Sequence, residues 1–291
     1  MNATLSGFAA IGMWAMLALF TAASGSVPPF QLLAMTFLVG GGVGLAGWVI
    51  KPPRRGSLAL PPVVWLVGIG GLFGYHFFYY TALRNAPVAE AGLIAYLWPL
   101  LIVLFSSLLP GERLRWYHLI GALAGFAGAA LLITGKSSMA GTGNWLGYAS
   151  AMACALIWSG YSVISRLFKT APTDAVTVYC LATALLSALC HLAFETTVWP
   201  ANLLEWLAVL ALGLMPVGLA FYLWDHAVKH GPIQLIGSAA YAAPVLSTMV
   251  LVATGFAEPG WRLVAAAILV TAGAIVASGR FLPSQTAGVP E

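Results

Sequence analysis

The sequence predicts an all-α membrane protein in which ten transmembrane helices form two inverted repeats of five helices each. Three observations lead to this prediction. Of the 291 residues, 61% are apolar and only 7% are charged. The apolar residues fall into ten runs that are long enough to cross a bilayer. The two halves of the chain also share an ordered series of matching residues.

The low charge content excludes an ordinary soluble protein. A soluble domain carries about a quarter charged residues, whereas this chain has 12 basic and 8 acidic side chains. The three cysteines lie in apolar runs without a CxxC spacing, so we interpret them as packing residues and expect no metal site and no cofactor. The cations are spread between apolar runs rather than clustered, and we therefore expect no nucleic-acid partner.

Each apolar run is predicted to be a helix. A bilayer core of about 30 Å needs roughly 20 helical residues, and lipid offers no partner to the open edge of a strand. The predicted spans are 5–23, 31–50, 61–83, 88–108, 114–134, 146–164, 175–193, 205–227, 233–254 and 261–279. The first run could be a cleaved signal peptide, but no Lys or Arg precedes it and it is longer than a signal core. We interpret it as a retained helix.

The distribution of Lys and Arg predicts that both termini are cytoplasmic. With the N-terminus inside, nine cations fall on the cytoplasmic side and three on the outer side. The cytoplasmic nine are Lys51, Arg54, Arg55, Arg113, Arg115, Arg166, Lys169, Lys229 and Arg280, and the outer three are Arg84, Lys136 and Arg262. Residues 283–291 are predicted to form a short cytoplasmic tail.

An internal repeat divides the chain into residues 1–137 and 144–282. Residues 82–87 (ALRNAP) align with residues 227–232 (AVKHGP). In the same frame, a Gly, a Tyr and a Pro recur at Gly92, Tyr96 and Pro99 and at Gly237, Tyr241 and Pro244. Single identities mean little in apolar sequence, but an ordered series at one offset indicates a repeat.

The odd number of spans in each repeat determines how the two repeats are related. Because five spans carry the chain across the membrane, the second repeat enters from the opposite side. Inverted repeats of this kind surround a shared central site in alternating-access transporters. The sequence therefore favours a transporter.

The chain resembles the EamA-type members of the drug/metabolite transporter superfamily over nearly its whole length. The marks of this resemblance are Trp14 and Trp158 in the first helix of each repeat, Pro87 and Pro232 after the third helix, the two Tyr-x-x-Pro motifs, and Glu112 and Glu258 before the fifth helix. Within that superfamily, residues 75–80 (YHFFYY) and 96–99 (YLWP) are most similar to aromatic amino acid exporters of the YddG type. The resemblance implies export of aromatic amino acids across the inner membrane.

Three tryptophans lie in the middle of predicted spans, where an interfacial aromatic belt does not explain them. These are Trp14, Trp98 and Trp158. Helix packing explains any one of them alone, whereas three indoles at similar depth favour a shared substrate chamber. Trp224 lies close to a span end and fits either an interfacial anchor or the chamber.

His76 is the most informative polar residue. A lone histidine is commonly structural, but an ionisable side chain within a span usually faces a cavity. Tyr75 and Tyr79 are four residues apart and His76 and Tyr79 are three apart, so they share a helix face. We predict that these three residues, Tyr96 and Tyr241 bind the polar ends of a zwitterionic amino acid.

Pro99 and Pro244 occupy matching positions in the two repeats. Proline lacks an N–H, so each frees a carbonyl one turn earlier, that of Ala95 or Ala240. A free carbonyl at this depth is tolerated only inside protein or beside a wet cavity. A packing kink would explain each proline alone, and the repeat-related placement favours hinges or cavity-lining residues.

The carboxylates are few and lie near span ends. Asp225 and Lys229 have the helical spacing of an ion pair, and Glu112 is predicted to cap or tie the fifth helix. Because no deep carboxylate is evident, we expect facilitated diffusion or exchange rather than strong ion coupling.

The function predicted is therefore export of aromatic and other apolar amino acids, by a monomer or weak dimer embedded in the lipid bilayer. A broad-specificity drug or metabolite efflux transporter is the alternative, although such proteins usually bind cations with a deep carboxylate. An intramembrane enzyme is not expected, because the sequence has no HExxH, GxSxG or paired acids at mid-depth. A pore or scramblase is a third possibility, which saturable flux would exclude.

Overall fold

The computed structural model describes residues 2–54, 56–134, 144–255, 258 and 260–278, and the regular structure of these residues is helical. Eight of the helices are long and apolar enough to cross a membrane, and two apolar helices, α4 and α10, are shorter. The helices are α1 (Ala3–Ala23), α2 (Pro29–Ile50), α3 (Pro62–Asn85), α4 (Val88–Ala95 and Trp98–Ser106), α5 (Trp116–Thr134), α6 (Trp145–Phe168), α7 (Ala175–Phe194), α8 (Leu203–His230), α9 (Ile233–Ala253) and α10 (Trp261–Ala277).

The predicted spans coincide with these ten helices to within four residues at either end. The agreement reflects the hydropathy of the chain, because apolar runs are interrupted by Pro, Gly and charge where the helices end. The span predicted over 88–108 is divided after Ala95 and ends at Ser106. Residues 135–143 and 279–291, which include the predicted tail, lie outside the described residues.

Two helices contain a π-helical segment in mid-course. These segments are Gly70–Gly74 in α3 and Met215–Leu219 in α8, and the second begins 145 residues after the first. Pro216 cannot donate a backbone hydrogen bond, which opens the helical ladder of α8 at that point. π-Helical turns are rare and are concentrated at functional sites.

The two predicted hinge prolines each begin a helical segment. Pro99 lies in the first turn of Trp98–Ser106, and Pro244 lies in the first turns of Ala242–Ala253. A proline is tolerated there because the first N–H groups of a helix have no intrahelical acceptor. Each proline therefore follows a helix break instead of kinking a continuous helix in its middle.

Helices from the two halves of the chain pack against each other in pairs. α5 packs on α10, α2 packs on α7, α1 packs on Ala220–His230 of α8, and α6 packs on Tyr75–Asn85 of α3. At the α5–α10 contact, a Cβ built on Gly121 would lie 2.4 Å from the Gly273 carbonyl oxygen. Only glycine permits backbones to approach this closely.

Contacts between helix termini define two ends of the bundle. The Asn144 backbone N–H donates to the Asn85 carbonyl over 3.0 Å, which joins the start of α6 to the end of α3. At the same end, Glu195 accepts from the Phe30 backbone N–H over 3.0 Å and pairs with Arg84 over 3.1 Å. We call this the Glu195 end.

The opposite end of the bundle is held by Glu112. Its carboxylate pairs with Arg166 at the end of α6 over 2.5 Å and accepts from the Gln234 side chain over 2.8 Å. Arg166 also donates to the Val228 and Gly231 carbonyls at the end of α8. Glu112 lies in the segment that precedes α5, so these bonds tie that segment to α6 and α9, and its carboxylate binds these two helices rather than capping α5. We call this the Glu112 end.

Candidate functional site

A cavity of about 640 Å³ lies between the helices and extends toward the Glu195 end. Its walls come from α1, α2, α3, α8 and α9, with contributions from α4 and α5. The lining reaches Ala22, Leu83, Ile133 and Leu251, each in the last turn of its helix. The cavity is therefore open at the Glu195 end and narrows toward the centre of the bundle.

A narrower extension of about 100 Å³ continues from the inner part of this cavity. It shares the side chains of Trp14 and His76 with the main cavity and adds those of Trp98, Trp158 and Phe221. Aromatic rings thus surround the deepest part of the cavity.

Four indoles meet at this inner part and are called the indole cluster: Trp14, Trp98, Trp158 and Trp224. All six distances between their ring centroids lie between 4.9 and 6.3 Å, mostly in tilted or edge-on geometry. The three mid-span tryptophans that the sequence singles out are therefore brought together. Trp224 joins them and is fully buried, so it is not an interfacial anchor.

Two of the cluster's indole N–H groups bind within the protein. Trp14 donates to the Pro216 carbonyl over 3.1 Å, and Trp224 donates to the Ser162 hydroxyl over 3.0 Å. These bonds satisfy donors that would otherwise be costly to bury. What Trp14 presents to the cavity is therefore the faces and edges of its ring, which suit an aromatic or aliphatic group.

His76 faces the cavity from α3 and lies two residues after Gly74, where the π-helical segment ends. Its Nδ1 lies 2.7 Å from the Leu72 carbonyl. A carbonyl only accepts, so Nδ1 carries the hydrogen, and Nε2 of the neutral ring is an acceptor. The ring is held edge-on against Phe37 at 5.2 Å. His76 therefore offers one fixed acceptor to a bound molecule.

Four tyrosines line the cavity beside His76, namely Tyr75, Tyr79, Tyr80 and Tyr96. The rings of Tyr75 and Tyr79 are nearly parallel, with centroids 6.0 Å apart. Among the described residues that line the cavity, no Asp, Glu, Lys or Arg is present. The site therefore supplies hydroxyls, an imidazole and rings, without a charged side chain.

The predicted site residues divide into those that line the cavity and those that do not. Trp14, Tyr75, His76, Tyr79, Tyr96 and Pro244 line the main cavity, and Trp98 and Trp158 line its inner extension. Pro99 and Tyr241 line neither.

Tyr241 is fully buried and supports the break in α4. Its hydroxyl accepts from the Leu100 backbone N–H over 3.1 Å, and its ring packs against Phe126. A Cβ built on Gly125 would lie 2.6 Å from this ring. The structure thus places Tyr241 between α4, α5 and α9, behind the cavity wall.

Sequence reasoning missed several polar groups that line the cavity: Tyr80, Thr21, Thr36, Ser247 and Thr248. Tyr80 carried a usable signal, since it lies four residues after His76 and so on the same face of α3. The sequence gives no such indication for the Ser and Thr residues. Their short side chains are common in apolar helices and donate to their own helix, as Thr36 does to the Leu32 carbonyl.

Beyond the indole cluster, buried ionic groups close the bundle toward the Glu112 end. Asp225 and Lys229 form an ion pair of 2.9 Å in which the side chains are only 1% and 3% exposed. Thr173 donates to the same carboxylate, and Lys229 donates to the Ala171 carbonyl. The predicted ion pair is confirmed, and it joins α8 to the segment that precedes α7.

Comparison with known proteins agrees with this architecture. The model of the EamA-like transporter family matches residues 1–134 and again residues 145–279. The aromatic amino acid exporter YddG of Ancylobacter novellus is 55% identical over 279 residues, which cover 95% of this chain and 97% of that protein. The aromatic amino acid exporter YddG of Salmonella typhimurium is 27% identical over 265 residues, which cover 85% and 86% of the two chains.

A solved crystal structure superimposes on this chain with a TM-score of 0.90 and 55% sequence identity. The superposition covers 96% of this chain and 98% of the other. The matched segments of the family model take in nearly all of the ten helices. The chain therefore belongs to the EamA-like transporter family of the drug/metabolite transporter superfamily.

Proposed function

We propose that the protein exports aromatic amino acids, and other apolar amino acids, across the inner membrane by alternating access. The observation that carries this proposal is an uncharged cavity whose inner part is ringed by aromatic side chains. The 55% identical relative over 95% of the chain is named an aromatic amino acid exporter, which supports the same substrate class here. We expect the transporter to work as a monomer or weak dimer and without a cofactor.

A zwitterionic amino acid matches the groups in the cavity. Its ring or aliphatic side chain packs on Trp14, Trp98 and Trp158, where edge-on contacts with indoles are favourable. Its ammonium group donates to Nε2 of His76, and its carboxylate accepts from tyrosine hydroxyls such as that of Tyr79. Because the two substrate charges sum to zero, the site needs no charged side chain.

The Lys and Arg distribution orients the molecule. The Glu112 end carries Arg166, Lys169 and Lys51, which the positive-inside rule places in the cytoplasm together with both termini. The Glu195 end then faces outward, and the cavity is open to the outside. The buried Asp225–Lys229 pair and the indole cluster close the cytoplasmic side.

Two inverted repeats, residues 1–137 and 144–282, supply the mechanism of alternating access. Four findings support this arrangement: the family model matches each half separately, the two π-helical segments are 145 residues apart, helices pair across the halves, and α6 begins where α3 ends. In transporters built this way, rocking of one repeat against the other exposes the site to each side in turn. The hinges in this proposal are the helix breaks before Pro99 and Pro244 together with the two π-helical segments.

A broad-specificity drug or metabolite efflux transporter is the second candidate. The volume of about 640 Å³ favours it, because this is more space than one amino acid fills and lies within the range for drug-sized ligands. The lack of an acidic side chain among the described lining residues disfavours cationic drugs, which would enter the cavity without a counter-charge.

Counterflow into proteoliposomes tests the proposal. Vesicles preloaded with unlabelled phenylalanine should accumulate labelled tryptophan in a saturable manner, and excess tyrosine should compete. Uptake equal to that of protein-free vesicles for all three aromatic amino acids would overturn the substrate assignment. Uptake of neutral drugs under the same conditions would then favour the efflux alternative, and flux that does not saturate would indicate a pore.

A further inference from the structure

A second cavity of about 570 Å³ lies at the Glu112 end, between α2, α7 and α8. It has no lining residue in common with the aromatic cavity. Its wall includes the last turn of α2, the segment that follows it, and the start of α7. It therefore forms a separate site, at the depth where α2 leaves the apolar part of the bundle.

Two buried donors in the wall of this cavity have no hydrogen-bond partner among the residues that the structure describes. They are the indole N–H of Trp48 and the hydroxyl of Ser57. A buried donor without an acceptor costs free energy, and native proteins satisfy nearly all such groups. A ligand that brings acceptor oxygens into the cavity would satisfy both.

The charges around the cavity favour an anion. Lys51 and Arg54 line it and are exposed, whereas Asp174 is the acidic residue of the described wall. The Tyr222 hydroxyl is already engaged with Thr177 and with the Gly40 carbonyl, so it does not compete for the ligand. The cavity thus presents two cations and two unused neutral donors against one carboxylate.

The surroundings of the cavity indicate that the anion is attached to an apolar chain. Val49 and Ile50 follow Trp48 on α2 and are 84% and 86% exposed, so the outer surface of α2 at the level of the cavity is apolar. Trp and Lys at the end of an apolar helix mark the boundary between acyl chains and headgroups. An anion bound at this depth borders the acyl chains that cover this apolar surface, and an anionic lipid supplies both the anion and the chains.

We propose that this cavity binds the headgroup of an anionic phospholipid from the leaflet at the Glu112 end. The phosphodiester oxygens accept from the Trp48 N–H and the Ser57 hydroxyl and face Lys51 and Arg54, while the acyl chains lie along Val49 and Ile50. Basic pockets between transmembrane helices recognise lipid headgroups in this manner.

Lipid binding to the purified full-length protein in detergent tests this proposal. Native mass spectrometry would measure the apparent affinity for dioleoyl phosphatidylglycerol and dioleoyl phosphatidylcholine. We expect the double variant Lys51→Gln/Arg54→Gln and the single variant Trp48→Phe each to bind phosphatidylglycerol at least fivefold more weakly than wild type. The charge-matched control Arg113→Gln/Lys169→Gln and the indole control Trp116→Phe should keep wild-type affinity.

Water-soluble anions distinguish a lipid site from a phosphate site. Inorganic phosphate and glycerophosphoglycerol, which lack acyl chains, should leave the melting temperature unchanged at concentrations where phosphatidylglycerol raises it. Stabilisation by phosphate alone that disappears in Lys51→Gln/Arg54→Gln would overturn the lipid assignment. Equal phosphatidylglycerol affinity in Trp48→Phe, Ser57→Ala and wild type would overturn the site itself, and these two mild substitutions keep the test valid if the double variant fails to fold.

Discussion

The indole N–H of Trp14 in α1 donates to the carbonyl of Pro216 in α8 over 3.1 Å. The two residues are 202 positions apart in the chain and belong to different halves. Pro216 lies within the π-helical segment of α8, and Trp14 lies between the main cavity and its inner extension. The bond therefore links a cavity-lining side chain directly to a proposed hinge.

Replacing Trp14 by Phe should slow transport about tenfold. The change keeps a ring in the cavity but leaves the Pro216 carbonyl without its donor, and an unsatisfied buried group costs about 1–3 kcal/mol. Initial rates of tryptophan counterflow, normalised to protein in the membrane, would measure the effect. Trp145→Phe is the matched control, because Trp145 is 79% exposed. Wild-type rates in Trp14→Phe would show that the bond has no role in the transport cycle.

His76→Gln tests the proposed contact with the substrate ammonium group. We expect the apparent affinity for phenylalanine to fall at least fivefold, because the acceptor oxygen of glutamine is not held in place as the imidazole is by the Leu72 carbonyl. Inhibition by 3-phenylpropionate, which lacks the amine, should be unchanged. His118→Gln, outside the cavity, serves as the control in the same competition assay. An equal loss for both compounds would mean that His76 shapes the cavity rather than binding the amine.

Trp98→Leu should change the preference among substrates. The substitution removes ring contacts at the inner extension, each worth about 0.5–1.5 kcal/mol beyond burial. The ratio of tryptophan to leucine transport efficiency should fall about three- to tenfold in parallel proteoliposome assays. Trp199→Leu, which alters an exposed indole outside both cavities, should keep the wild-type ratio. A uniform decrease for both amino acids would contradict a specificity role.

Lys229→Met should destabilise the protein strongly. It leaves the carboxylate of Asp225 buried without its cation, and breaking a buried pair in this way costs about 3–5 kcal/mol. The melting temperature of the purified variant should drop, and Asp225→Asn/Lys229→Met should recover part of the loss, since no lone charge remains. A double variant that melts below the single variant would contradict this explanation.

The positions of the helices could be predicted because a bilayer imposes a length on every apolar run. Tyr75, His76 and Tyr79 could be predicted as site residues because their spacing places them on one face of a membrane-spanning helix, and all three line the cavity. The π-helical segment Gly70–Gly74 could not be predicted. Its residues are apolar like those of the rest of the span, so hydropathy does not distinguish a π-helical turn from an α-helical one.

Contacts between distant parts of the chain explain why the sequence did not predict where the side chains of Trp224 and Tyr241 lie. The place of Trp224 near a span end left both an interfacial anchor and the chamber open, and the structure decides between them because α8 extends to His230 and Trp224 is fully buried in the indole cluster. Tyr241 matches Tyr96 in the repeat, yet its hydroxyl binds the Leu100 backbone 141 residues away. No periodic pattern encodes such pairs, because they depend on how the helices pack.

The most direct test of alternating access is the reactivity of a single cysteine in the cavity. The native Cys154, Cys180 and Cys190 would first be replaced by Ser or Ala. The substitution Ser247→Cys would then place a single cysteine in the cavity wall. We expect a membrane-impermeant thiol reagent to modify this residue in whole cells and also in inside-out vesicles, and we expect phenylalanine to slow both reactions. Modification from one side only, or no protection by any aromatic amino acid, would contradict the account.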